Sequence, residues 1–156
     1  MLFYTLKRVL QPILVVLVVG IVVTTTSQVL SRYVFGSPLI WTEEVARYLG
    51  IWLVMLGTGL VLGENMHVGI DYVQEKVPPK LSTVLSIVSL VATILFALAL
   101  VVYGSRLVFS VRNAQTAALR ISMGWVYLAV PVGGALLALY ALLLLISTLR
   151  KGAQEA

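Results

Sequence analysis

Leu81 to Phe109 reads LSTVLSIVSLVATILFALALVVYGSRLVF, and Arg106, close to its end, is the single charged residue in the stretch. A bilayer core about 30 Å thick is crossed by roughly 20 predominantly apolar residues in helical form. This run is long enough to cross with tilt, or to carry Arg106 past the hydrocarbon. It is apolar all round and lacks the polar stripe of a helix on the surface of a water-soluble domain. Three further runs of the same kind flank it, over residues 9–30, 44–63 and 123–149. The whole chain is 60% hydrophobic and 11% charged, with mean hydropathy +1.04, where soluble domains average about 25% charged residues. The sequence therefore predicts an all-α integral membrane protein, with four transmembrane helices in a single membrane domain over 1–156.

The connectors carry the polar residues. Ser31 to Pro38 (SRYVFGSP) combines an arginine, two aromatics, a glycine and a proline, which marks an interfacial turn. A new helical pattern begins at Trp41 within WTEEVARY, and the apolar part that follows, Tyr48 to Leu62, is too short to cross by itself. The charged first turns must then lie at the membrane surface or against a partner. In the central connector, Gly63 to Lys80, the residues Met66, Ile70, Val73 and Val77 recur at helical spacing, with Asp71, Gln74 and Glu75 off that stripe. That pattern predicts a short amphipathic helix in the interface plane, ended by Pro78 and Pro79. The link Arg112 to Ser122 is short and polar. Trp125 and Tyr127 start an interfacial belt at the head of the last span, and Arg150 and Lys151 mark its exit. Inside the first span, Thr24 to Gln28 are polar but uncharged, so they bond to the helix backbone or face protein rather than lipid.

The net charge of +5 raises nucleic acid as a partner, but no basic run exceeds Lys7–Arg8 or Arg150–Lys151, and these pairs anchor the ends of apolar segments. No nucleic-acid partner is expected; membrane lipid is. With no cysteine, disulfides and thiolate chemistry are excluded. Lys7, Arg8 and the run Ile13 to Val23 resemble a secretory signal, yet no alanine precedes Ala46 to build a small-residue cleavage site. The segment is read as an uncleaved span. Four spans put both termini on one side. With that side cytoplasmic, Lys7, Arg8, Lys76, Lys80, Arg150 and Lys151 lie inside, against Arg32, Arg47, Arg106, Arg112 and Arg120 outside, a small excess in the usual direction.

Glu64 and His67 form a Glu-x-x-His, which helical bundles use to hold paired metal ions. Such sites need a second copy and further glutamates, which this chain does not offer, so no metal or other cofactor is expected. A Ser, His, Asp constellation assembled from His67, Asp71 and a serine lacks the strand-to-helix elbow and oxyanion motif. No catalytic residues are assigned. Gly57, Gly59, Gly63, Gly133 and Gly134 are read as sites of close helix packing, and Pro131 as a bend in the last span. The cluster of Trp41, Glu43, Glu44 and Arg47 calls for more. Each charge costs about 2.5 to 3.5 kcal/mol at a helix centre, so the three must be paired, hydrated or buried against protein. Glu43 and Glu44 lie four and three residues before Arg47, so one arginine can answer both.

Arg32-Tyr33-Val34-Phe35, then Pro38 and Trp41-Thr42-Glu43-Glu44-Val45-Ala46-Arg47-Tyr48, resemble the small membrane subunit of tripartite ATP-independent periplasmic (TRAP) transporters, of the DctQ type. Gly57, the His67, Val68, Asp71 pattern and Met123, Trp125, Tyr127, Pro131 extend the resemblance over nearly the whole chain. The resemblance implies a four-span accessory subunit in a bacterial-type inner membrane. Its partners would be a large multi-span permease, which carries the substrate and sodium sites, and a periplasmic substrate-binding protein that delivers a carboxylate or sialic-acid-like anion. It further implies that Arg32, Trp41, Glu43, Glu44 and Arg47 are structural or partner-interface residues. Two other readings remain open at this stage: a self-assembling small exporter or channel lined by Thr24 to Gln28, and a membrane-bound metal enzyme using Glu64 and His67.

Overall fold

The computed structural model describes residues 2–37, 39–65 and 79–152. Five helices run in the order α1 (Leu2–Tyr33), α2 (Ile40–Asn65), α3 (Pro79–Val111), α4 (Met123–Tyr127) and α5 (Ala129–Gly152). Four stretches, Tyr4–Tyr33, Ile40–Gly63, Leu81–Val111 and Met123–Arg150, are long and apolar enough to cross a membrane. The chain is an all-α membrane protein. The amphipathic helix expected over Met66 to Val77 lies outside the described residues, as do His67 and Asp71.

The first three helices overrun the apolar runs that predict them. α1 starts at Leu2 rather than Val9, and α2 at Ile40 rather than residue 44, because a backbone near the bilayer satisfies its N–H and C=O groups best within its own helix. Met123–Arg150 is long and apolar enough to cross as one span, and its helix is interrupted at Leu128, close to the bend expected at Pro131. Pro131 has no N–H to give the carbonyl of Tyr127, four residues back, and α4 ends at that residue before α5 resumes at Ala129. Val132 then donates to the Leu128 carbonyl at 3.2 Å, which carries the chain into α5.

α1 packs along α2, and α2 and α3 both pack along α5, so α5 lies between α2 and α3. Two adjacent glycines explain the central place of α5. Neighbouring residues on a helix point about 100° apart: a Cβ on Gly133 would meet Met55 of α2, including its backbone oxygen at 2.7 Å, and one on Gly134 would meet Leu100 and the Ala97 carbonyl of α3 at 2.9 and 3.1 Å. Without hydrophobic drive between helices in lipid, this close approach is what holds them. Gly59 approaches the Tyr140 ring in the same way, whereas Gly57, expected to do likewise, opens onto empty space. Leu10, Leu56, Leu60 and Tyr140 form the buried core where α1, α2 and α5 meet. Thr24 bonds back to the carbonyls of Gly20 and Ile21 at 2.7 and 3.0 Å, as its position in a span requires; Thr25 and Thr26 remain exposed on this chain.

Candidate functional site

The first turns of α2 lie at one end of the helix row, beside the turn out of α1 and the loop between α3 and α4. Gly36, at φ +63°, takes the left-handed conformation that reverses the chain after α1. The Ser31 hydroxyl then ties the two helices: it donates to the Gln28 carbonyl at 2.9 Å and accepts the Leu39 N–H at 3.3 Å. Thr42, fully buried, donates to the Leu39 carbonyl at 2.6 Å. These bonds fix where α2 begins, and thereby where Glu43 and Glu44 point.

The two glutamates part company. Glu43 faces outward and pairs with Arg47 at 2.8 Å, with both side chains more than 60% exposed. Glu44 faces inward and retains 8% of its surface. One of its oxygens accepts the Tyr48 hydroxyl proton; the other accepts the backbone N–H groups of Ala118 and Leu119 at 2.8 and 3.0 Å. The expectation that Arg47 answers both acids is thus corrected. Positions 43 and 44 differ by about 100° around the helix, so an arginine aligned with one acid leaves the other to a different neighbour. Arg32 is exposed in the last turn of α1 and joins neither acid. Trp41, 45% exposed, lies one turn before Glu44.

The link Arg112 to Ser122 is not a slack connector. Gln115 and Ser122 form an antiparallel bridge. Thr116 N–H donates to the Ile121 carbonyl at 2.9 Å and Met123 N–H to the Ala114 carbonyl at 2.9 Å. The buried Thr116 hydroxyl accepts the Ile121 N–H at 3.2 Å, and Ser122 caps α4 by accepting the Gly124 N–H while donating to the Arg112 carbonyl. This hairpin turns the N–H groups of Ala118 and Leu119 outward from its own ladder, and the Glu44 carboxylate receives them. A buried carboxylate is tolerable only when its oxygens are bonded in this manner. Sequence reading missed Tyr48 and the loop. Tyr48 could have been found, four residues after Glu44 on the same helix face; backbone donors 74 and 75 residues away carry no side-chain signal.

Aromatic side chains ring this end: Tyr33, Phe35, Trp41, Tyr103 and Trp125 are all exposed, as at a membrane–water interface. The arrangement offers a rigid, hydrogen-bonded surface at the membrane boundary. His67, which the metal reading pairs with Glu64, lies outside the described residues.

Residues 21–151 match the model of the family described as tripartite ATP-independent periplasmic transporters, DctQ component. The chain belongs to this family. Among individual relatives of this DctQ component, the sialic acid TRAP transporter small permease protein SiaQ of Vibrio cholerae is 32% identical over 126 residues, which covers 78% of this chain and 70% of that protein. The sialic acid TRAP transporter permease protein SiaT of Haemophilus influenzae is 34% identical over 110 residues, 68% of this chain but 17% of that much longer protein. The C4-dicarboxylate TRAP transporter small permease protein DctQ of Rhodobacter capsulatus is 27% identical over 104 residues, 65% of this chain and 46% of that protein. This DctQ component is a transporter permease subunit, not an enzyme.

Proposed function

We propose that this chain is the scaffold and docking subunit of a TRAP transporter, which steadies a large multi-span permease in a bacterial-type inner membrane, with both termini cytoplasmic. The observation that carries the reading is the match to 17% of a longer permease chain: a unit like this one occurs there as a minor part of a larger transport protein. The form of the chain agrees. Helices arranged in a row leave broad apolar surfaces, such as the outer faces of α1 and α3, and these suit a large membrane partner as well as lipid. Glu44 shapes the chain itself, whereas Arg32, Trp41, Glu43 and Arg47 are exposed and available to a partner.

The cargo in this reading is an organic anion, in line with the sialic acid and C4-dicarboxylate named for the relatives. Delivery by a soluble periplasmic binding protein and coupling to sodium follow from the family resemblance. The test is co-expression of the tagged chain with its large permease: the two should co-purify at fixed stoichiometry in detergent. A chain recovered only with copies of itself would instead favour the self-assembling exporter or channel.

A further inference from the structure

Arg106 is the one charged residue between Lys80 and Arg112, and it falls inside the apolar span Leu81–Val111. The inner face of α3 is marked by Ala97, fully buried, and by Gly104, where a Cβ would meet Pro131 and Val130 of α5 at 3.0 Å. At about 100° per residue, Arg106 lies about 180° from Ala97 and about 160° from Gly104, so its side chain leaves the bundle on the side away from α5. Its guanidinium rests over the Tyr103 ring, 5.8 Å from the centroid. It pairs with no acid among the described residues, since Glu43 is engaged by Arg47, and Glu44 by Tyr48 and the 112–122 loop. Val102 and Phe109, one turn to either side on the same face, are exposed at 49% and 69%.

Helix geometry sets the depth of this cation. Leu81–Val111 is 31 residues long, about 46 Å at 1.5 Å per residue, against a hydrocarbon core of about 30 Å. With the core centred on the span, Arg106 stands about ten residues past the midpoint at Phe96, about 15 Å along the axis and level with the edge of the hydrocarbon. A helical Cα–Cβ bond tilts toward the N-terminus, which on α3 is toward the bilayer, so the guanidinium settles on Tyr103 instead of reaching out to water. A lone cation at that depth calls for an anion. The anion found at that level all round a membrane protein is the phosphate of a phospholipid, and the guanidinium fork fits its oxygens two at a time. We propose that Arg106, seated on Tyr103, holds the phosphate of one phospholipid whose acyl chains run past Val102 down the outer face of α3. The bound lipid fixes the depth of α3 in the membrane. The site stands on this chain alone and does not depend on the subunit reading.

The test uses the full chain in maltoside micelles, which carry no phosphate, with phosphatidylethanolamine as the probe because it has a phosphate but no net charge. Native mass spectrometry counts the lipid retained as its concentration is raised. The wild-type chain should hold one phosphatidylethanolamine about tenfold more tightly than Arg106→Gln, the loss expected for one charge-assisted hydrogen bond. Arg106→Lys, which keeps the charge but not the fork, should fall between them. Arg112→Gln, just past the end of α3, should bind as the wild type does. Diacylglycerol with the same acyl chains should bind weakly and alike to wild type and Arg106→Gln, and excess inorganic phosphate should not displace the lipid. Equal phosphatidylethanolamine affinity in wild type and Arg106→Gln, or equal losses in Arg106→Gln and Arg112→Gln, would overturn the proposal. So would displacement by inorganic phosphate. So would a complex with the large permease that lacks the lipid and that Arg106→Gln breaks apart, because the guanidinium would then answer a carboxylate of that partner.

Discussion

Replacing Gly133 by alanine adds one methyl group where there is no room for it. An ideal Cβ at this position lies 2.7 Å from both the Cβ and the backbone oxygen of Met55 and 2.9 Å from its carbonyl carbon, whereas carbon contacts are comfortable at about 3.5 to 4.0 Å. These are backbone atoms and a Cβ, not the end of a flexible side chain, so relief requires α2 and α5 to move apart by the better part of an ångström. Overpacking of this kind costs about 1 to 3 kcal/mol, and widening a helix contact that rests on close approach brings the figure toward the upper end. Gly57 supplies the control, since a Cβ there meets nothing within 4 Å; Gly57→Ala should be neutral or stabilising by about 0.5 to 1 kcal/mol, the ordinary gain of alanine over glycine inside a helix. Reversible unfolding in mixed micelles, with helicity as the readout, measures both. Equal stability of the Gly133→Ala variant and the wild-type chain, or equal loss in the two variants, would refute the packing argument.

Glu44→Ala should raise hydrogen exchange at the Ala118 and Leu119 amides by about tenfold or more, through local opening of the loop, while Glu44→Gln, which keeps a carbonyl oxygen for those donors, should raise it less; unchanged protection in Glu44→Ala would show that the loop stands without the carboxylate. Arg47→Glu should change folding stability by no more than about 1 kcal/mol, because the Glu43 pair is exposed, yet it should lower recovery of the large permease, and the exchanged pair Glu43→Arg, Arg47→Glu should restore part of it. Full recovery in the single variant would mean that this pair merely sits in water. For topology, reporter fusions at Ala156 should read cytoplasmic and one near Asn113 periplasmic, and a periplasmic C-terminus would reverse the orientation.

The spans were legible because crossing a bilayer demands about 20 apolar residues, a requirement that Leu81 to Phe109 meets in plain view. The break before α5 was foreshadowed by Pro131, whose missing N–H acts within its own helix. What could not be read was which surface each residue meets. Gly57 and Gly133 are alike in sequence, yet one opens onto empty space and the other touches Met55, since that difference depends on the rotation of whole helices. The acids at 43 and 44 posed the same problem. Spacing allowed Arg47 to reach either, and only the position of a loop more than seventy residues away decided that Glu44 bonds to backbone donors. Arg112 to Ser122 read as a polar link because its order comes from main-chain bonds, which leave little trace in side-chain chemistry.

The most direct measurement of the accessory role is uptake by liposomes that contain the large permease with and without this chain, in the presence of sodium and the loaded soluble binding protein. Uptake should appear only when both membrane subunits are present, and liposomes containing this chain alone should carry no substrate. Substrate flux through this chain alone, or full uptake by the large permease without it, would contradict the account.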